Sequence, residues 1–374
     1  MKKSRKCICN KIILLQQITG EPEPLEADEI NKIRLELFTE RNSNKTACLV
    51  LKGKDIYDKY QRRITDRDIQ AICKYIQQSS RRIILLDLSY NNITDKGFFV
   101  LLKKVLIKGR SSVINLNIMN NNLTDASILN LSKYSTFLKL KCLRMNGNDL
   151  KSSGENFAEF FKYNKSIEYC DLGETNQTLT SMVKIVASLR SDYGGNDTLK
   201  IIDLSRIIPL YNRYSYETKW LAYHIELLLE RNSTIIELHL QKNELIGHDM
   251  EYFVRGLKCN KTLLYLDLGY NKLGDYGAEL LGKYLRGNPQ LILLNIAGNS
   301  INDTGAIALS FGLPYSKVRA LDVGNNKFTD EGVITLFQHT IDLYLIMRFC
   351  LTLFSSTFVR IIQYRITFYW MYRF

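Results

Sequence analysis

Little in this chain interrupts it. Across 374 residues there are 5 prolines, and no long stretch of Pro, Ser and Gly divides the sequence. A hydrophobic content of 45% is ample for a core, so nothing here reads as a disordered tail or a linker. Histidine is scarce. The 4 histidines, His224, His239, His248 and His339, are too dispersed to form a local metal motif. None of the 8 cysteines stands in a C-x-x-C pair, and only Cys7 and Cys9 are close. They read as reduced core or surface thiols of an intracellular protein. No spacing sets a Ser or Cys nucleophile beside a histidine. The run Gly269 to Gly274 has the gap of a phosphate-binding loop, but Asp275-Tyr276 follows where Lys-Ser/Thr is needed. These absences point away from an enzyme, a cofactor or a resident metal.

Long apolar runs are also missing. The start, MKKSRKCICNKIILLQQITG, holds only Ile12 to Leu15 as an uncharged apolar run, too short for a secretory signal core. Near the end the longest uncharged run is Phe349 to Val359, where a membrane span needs about 20 residues. The expectation is a cytoplasmic or nuclear protein, neither secreted nor held in a membrane by its tail. Triplets such as Asn92-Ile93-Thr94 and Asn122-Leu123-Thr124 then carry no glycan.

What is present is one phrase, repeated. Between Leu263 and Phe328 the pattern L-x-x-L-x-L-x-x-N-x-L recurs with Leu266, Leu294 and Leu321 in the same place, so the period is 28 and then 27 residues. A fixed period of this size marks a repeat array. Leu266 and Leu268 alternate with Asp267, as a short strand with its leucines inward requires. Asn271 stands at the turn, where its amide can satisfy backbone groups that the strand leaves unpaired. Ala278, Leu281 and Leu285 then fall at helical spacing. One such unit cannot bury its own apolar face, but a stack of them can.

Taken in order, residues 1–46 are expected to form an N-terminal arm and a helical cap, with Ile30, Ile33, Leu35 and Leu37 closing the open core. Residues 47–340 form the array, about ten strands in all. In the first unit KDIYDKYQRR is inserted after Leu49-Val50-Leu51, and in the next Thr94 or Asp95 is placed to cap a helix. Seven of the nine later turns carry Asn; Thr175 and Ile207 replace it in the middle. There the longest unit, from Ile202 to Leu238, contains IIPLYNRYSYETKW. From about Ile341 the phrase stops, and residues 341–374 form an apolar, basic tail.

The phrase and its spacing resemble the ribonuclease-inhibitor class of leucine-rich repeats. That resemblance implies an α/β fold: a right-handed horseshoe-shaped solenoid with a parallel concave sheet and convex helices. The irregular stretches YQRRITDRDIQAICKYI and LKIIDLSRIIPLYNRYSYETKWLAYHIELLLERNSTIIELHL are similar to the family of leucine-rich repeat-containing protein 34. Pro209, Glu217 and His224 match that family's mid-array insertion. The resemblance covers roughly residues 46–340 and fails at the tail. It implies an intracellular interaction protein with no catalytic residues, linked to the nucleolus, ribosome production and stem-cell or germ-cell states. The Ran-activating GTPase activators share the repeat type and give the alternative reading. They carry a strongly acidic C-terminal segment, whereas the segment here is basic and aromatic.

The site expectation follows from the strand pattern. The residue between the two strand leucines points out of the core in every unit. In order these are Asp87, Asn117, Arg144, Asp171, Asp203, His239, Asp267, Asn295 and Asp322. Five of the nine are acidic and one is Arg, although the chain carries a net charge of +13. The positive charge therefore lies on the termini and outer helices, at Lys2, Lys3, Arg5, Lys6, Arg62, Arg63, Lys103, Lys104, Lys108 and Arg110. The acidic strip has two readings, solubility or capture of a basic protein partner. The basic outer face likewise reads as a solvated surface or as a contact for RNA.

Overall fold

The computed structural model describes residues 30–107, 112–208, 218–287, 289–338 and 344–346. They form one sheet of twelve strands whose spatial order is the sequence order. It opens with β1 (Thr39–Arg41) antiparallel to β2 (Thr46–Val50). Every later neighbour is parallel: β3 (Arg82–Asp87), β4 (Asn115–Asn117), β5 (Cys142–Arg144) and β6 (Tyr169–Asp171). Then come β7 (Ile201–Asp203), β8 (Glu237–His239), β9 (Tyr265–Asp267) and β10 (Leu293–Asn295). The sheet closes with β11 (Ala320–Asp322) and β12 (Tyr344–Ile346). The ten strands expected from the phrase are β2 to β11, and Leu266, Leu294 and Leu321 pair directly in register. The two extra strands stand at the ends; β12 continues the row with Leu345 in register with Leu321, past residue 340, the expected end of the array.

Helices follow the strands on the other side of the core. Strands in a sheet lie about 4.8 Å apart, whereas packed helices need about 8–10 Å. An array that alternates the two must bend with its sheet on the inner side. The chain is thus an α/β leucine-rich-repeat solenoid. Its core is a single layer of stacked leucines, isoleucines and phenylalanines, with Leu266, Leu268, Phe157 and Phe253 fully buried. Cys170 takes a leucine place on β6 and is equally buried, as a small apolar filler.

Three polar ladders hold the stack in register. The turn asparagines form the first: the Asn271 amide donates to the Leu240 and Leu268 carbonyls at 3.0 and 2.8 Å. Its oxygen accepts from the Asn243 and Leu245 amides at 2.9 and 3.2 Å. A second ladder runs where helices return to strands. Asn164, Asn196, Asn232 and Asn260 each cap a carbonyl of the preceding unit with Nδ2 at 2.8 Å. The third lies at the helix N-termini. Asp95 accepts from the Thr124 amide at 2.9 Å and its hydroxyl at 2.7 Å, and Asp303 holds Thr329 in the same way. Thr94, rather than Asp95, is the N-cap of its own helix.

The N-terminal end is closed by a short helix, Lys32–Leu37, and by β1. Ile30 and Leu35 are buried there, while Ile33 stays exposed. The insertion after β2 folds as a helix, Gly53–Tyr60.

Candidate binding surface

The nine predicted face residues stand on one row of the sheet. Asp87, Asn117, Arg144, Asp171, Asp203, His239 and Asp267 pair strand to strand, and Asn295 and Asp322 continue the row. They are not equally open. Asp87, Asp171 and Asp267 are buried; the other six are half-buried.

The reason is local. A side-chain oxygen of Asp87, Asp203, Asp267 and Asp322 accepts from the backbone amide two residues on, at 2.8–3.0 Å. Asp171 does so at 3.2 Å, Asn117 at 3.3 Å and Asn295 at 3.0 Å. The row therefore shapes the turn that leaves each strand, which favours Asp or Asn there without any partner. In each of these units the residue three past the row is left-handed, from Arg206 at φ 46° to Gly298 at φ 67°. Only Arg144 and His239 depart from the rule. Each turns instead toward the acid on the next strand: Arg144 Nε lies 3.4 Å from Asp171, and His239 Nδ1 lies 3.4 Å from Asp267.

The centre of the surface is a polar cluster built on β5 to β9. The Asp267 carboxylate receives the Gln241 amide at 2.6 Å and the Tyr265 hydroxyl at 3.2 Å besides His239. His239 sits edge-on to Tyr265, with Glu237 3.7 Å from its other nitrogen. Burial opposes a charge on this imidazole. The Asp267 hydrogen bond and the nearby Asp203, Asp267 and Glu237 charges outweigh it and hold the pKa above the ordinary value. Burial also opposes charge on Asp267, but its hydrogen bonds from His239, Gln241 and Gly269 hold that carboxyl below the usual range.

Asp171 behaves in the opposite way. Burial, and then the Asp203 charge on the next strand, push it up to about 6 against the Gly173 amide and Arg144. Ionising it therefore costs stability. The cost is absent below about pH 4, grows as pH climbs toward 6 and is complete above that. Asn can make the same turn hydrogen bond, as Asn117 and Asn295 do. Asp171→Asn is thus expected to stabilise the fold at pH 7.5 by on the order of 2 kcal/mol and to leave it unchanged at pH 4. Urea unfolding at the two pH values checks this.

Reading only the residue between the leucines missed its flanks. Tyr169, Glu237 and Tyr265 precede the row and Gln241 follows it, all half-buried on the same face. The two-residue period of a strand was the available signal, since positions 265, 267 and 269 share a side.

Charge is divided between the two rims. Acids fill the first turns of the helices, as Asp95, Asp125, Glu155, Asp275, Asp303 and Asp330. Bases fill the last turns, as Lys133, Lys162, Arg231, Lys258 and Lys283. Both placements complement the helix dipole. Of the expected outer cations, Arg62 and Arg63 lie in the first-unit insertion, and Lys103 and Lys104 in a wide helical turn, Leu102–Leu106. Lys2, Lys3, Arg5, Lys6, Lys108 and Arg110 lie outside the described residues, as do Pro209, Tyr211, Tyr214, Tyr216, Glu217, His339 and the tail from 347. Among the described residues no group of three or more His, Cys, Asp or Glu side chains is placed to hold a metal ion. No helix among them is long and apolar enough to cross a membrane.

Comparison with known proteins agrees with this architecture. A family model described as "Leucine Rich repeat" matches residues 84–101, 259–282, 287–310 and 316–337. The fold and these matches show leucine-rich repeats in this chain; stacked units of this kind present an extended concave surface suited to binding other proteins. No curated protein matches the chain. Solved structures similar to it include an internalin from Listeria monocytogenes str. 4b F2365, at 14% identity over 88% of this chain and 90% of that one, with a TM-score of 0.39. Another is the Leiomodin-1 Actin-Binding Site 2, at 12% identity over 41% and 90%, with a TM-score of 0.34.

Proposed function

We propose that this chain is a non-enzymatic scaffold that takes a basic segment of a protein partner along its concave sheet. The acidic row carries the reading. Asp203 spends one oxygen on its own turn, and the second accepts no hydrogen bond, as is also true of Asp87. Asp171 and Asp203 pair in register, flanked by Arg144 on one side and His239 on the other. A lysine or arginine from outside would relieve that repulsion. On this reading residues 47–340 are the binding unit, 1–46 an arm and cap, and 341–374 a tail of which Tyr344–Ile346 extends the sheet.

The likeness to the ribonuclease-inhibitor class, and to the narrower family on His224 and the mid-array insertion, adds a nuclear or nucleolar setting and a link to ribosome production. A second reading, RNA contact, is favoured by the helix-to-strand rim, where Lys133, Lys139 and Lys162 stand exposed beside Phe137 and Tyr163. GTPase activation has no such support.

The test separates charge from fold. Asp87→Asn with Asp203→Asn keeps both turn acceptors and removes two charges. Affinity capture read by mass spectrometry, with and without ribonuclease, should lose basic protein partners in this variant. Unchanged capture would overturn the concave reading, and capture abolished by ribonuclease alone would favour the rim. Asp267 is a poor choice here, because its second oxygen already holds three neighbours.

A further inference from the structure

The insertion after β2 builds a second site, away from the concave surface. The helix Gly53–Tyr60 ends at Gln61, whose backbone is left-handed at φ 55° and whose amide closes on the Tyr57 carbonyl at 2.7 Å. This reversal lays Arg62 and Arg63 beside the start of the helix Asp66–Gln78. An open cleft of about 900 Å³ results, lined among others by Tyr57, Arg63, Arg67, Asn92 and Thr94.

Both acids in the cleft wall are already committed. Asp68 is fully buried and takes both guanidinium nitrogens of Arg62, at 2.9 and 2.8 Å, along with the Thr65 and Ile30 amides. Asp66 accepts the Thr94 amide at 2.8 Å and its hydroxyl at 2.5 Å, locking this unit to the next. Arg63 and Arg67 remain, both exposed and neither ion-paired among the described residues. Tyr57 presents a half-exposed ring and hydroxyl beside them. The cleft thus collects two guanidinium forks and several neutral hydrogen-bonding groups, and its carboxylates cannot answer those forks.

We propose that this cleft binds a phosphate group carried on a larger ligand, a phosphorylated side chain of a protein partner. Guanidinium forks match the oxygens of a tetrahedral dianion, and two of them outweigh a single carboxylate as a preference. The volume is far more than a bare ion needs, so the carrier has room to lie against Tyr57. The insertion buries Ile56 in the core and Arg62 holds Asp68, but neither the core nor the concave row explains Arg63 and Arg67.

The test uses the full chain and three probes at constant ionic strength: O-phosphoserine, inorganic phosphate and L-serine, followed by calorimetric titration. O-phosphoserine should bind saturably and more tightly than inorganic phosphate, and L-serine should not bind. Arg63→Gln with Arg67→Gln should weaken O-phosphoserine at least tenfold, while Lys139→Gln, on the opposite rim, should not change it. Neither arginine side chain makes a hydrogen bond or ion pair among the described residues, so the double variant should keep the wild-type unfolding midpoint. Absence of saturable binding, or equal affinity in the double variant, overturns the proposal. Inorganic phosphate binding as tightly as O-phosphoserine overturns the carried-group assignment. Tighter capture of a short single-stranded RNA through the same two arginines would give the cleft to nucleic acid instead.

Discussion

Asn271→Ala is expected to destabilise the array by about 3–4 kcal/mol, among the largest effects of any single polar substitution in it. The side chain is buried and closes four backbone partners: the carbonyls of Leu240 and Leu268 and the amides of Asn243 and Leu245. Alanine strands three of them in a site that water does not reach, while the Leu268 carbonyl keeps the Asn299 amide at 3.0 Å; each group left unpaired costs about 1–3 kcal/mol before local relaxation. Three of the partners belong to the preceding unit, so the damage falls on the interface between β8 and β9. Asn302→Ala serves as the control. That amide is exposed and meets only Asp275, at 3.1 Å, so its loss should stay within about 0.5 kcal/mol. Urea unfolding followed by circular dichroism measures both, and similar midpoints for the two variants would refute the ladder's role.

Gly312→Ala should cost on the order of 3 kcal/mol for a different reason. The helices Gly274–Leu285 and Asp303–Gly312 pack closely, and a Cβ at Gly312 would lie 2.0 Å from the Gly282 carbonyl oxygen. That neighbour is backbone, so relief requires the helices themselves to part. The reverse substitution, Gly282→Ala, meets the Ala308 carbonyl at 2.3 Å and should behave alike. The adjacent Phe311 is exposed, and Phe311→Ala should barely move the unfolding midpoint. A wild-type midpoint in Gly312→Ala would show that the two helices have slack.

The fold was legible because its signal is periodic. Leu266, Leu294 and Leu321 announce strands and their register at once, and the turn asparagines announce the buried ladder. β1 and β12 were not legible. β1 is antiparallel and outside the phrase, and β12 keeps only Leu345 in the place of Leu321, without the Asn turn that follows it elsewhere. The face row was legible in position but not in environment. An Asp between two leucines reads as an outward charge, yet at Asp87, Asp171 and Asp267 the side chain folds back on its own turn and is buried. The Arg63–Arg67 cleft was hidden for another reason. Its meaning depends on Arg62 being taken by Asp68, and Asp66 by Thr94 from a unit 28 positions later.

The failure of the turn ladder has a mechanical meaning. At seven units an asparagine amide ties each new unit to the carbonyl of the one before. Thr175 reaches only its own Leu172 carbonyl, at 2.7 Å, and Ile207 contributes no side-chain bond. Two successive junctions in the middle therefore lack the turn brace and rest on the Asn196 and Asn232 caps and on Gln177, which bridges to Ser153 at 3.2 Å. A stack of this kind acts as a curved beam, and its stiffness is lowest where bracing is missing. The span of those two junctions carries Asp171 and Asp203, so the two neighbouring acids of the proposed surface stand where the turn ladder is interrupted.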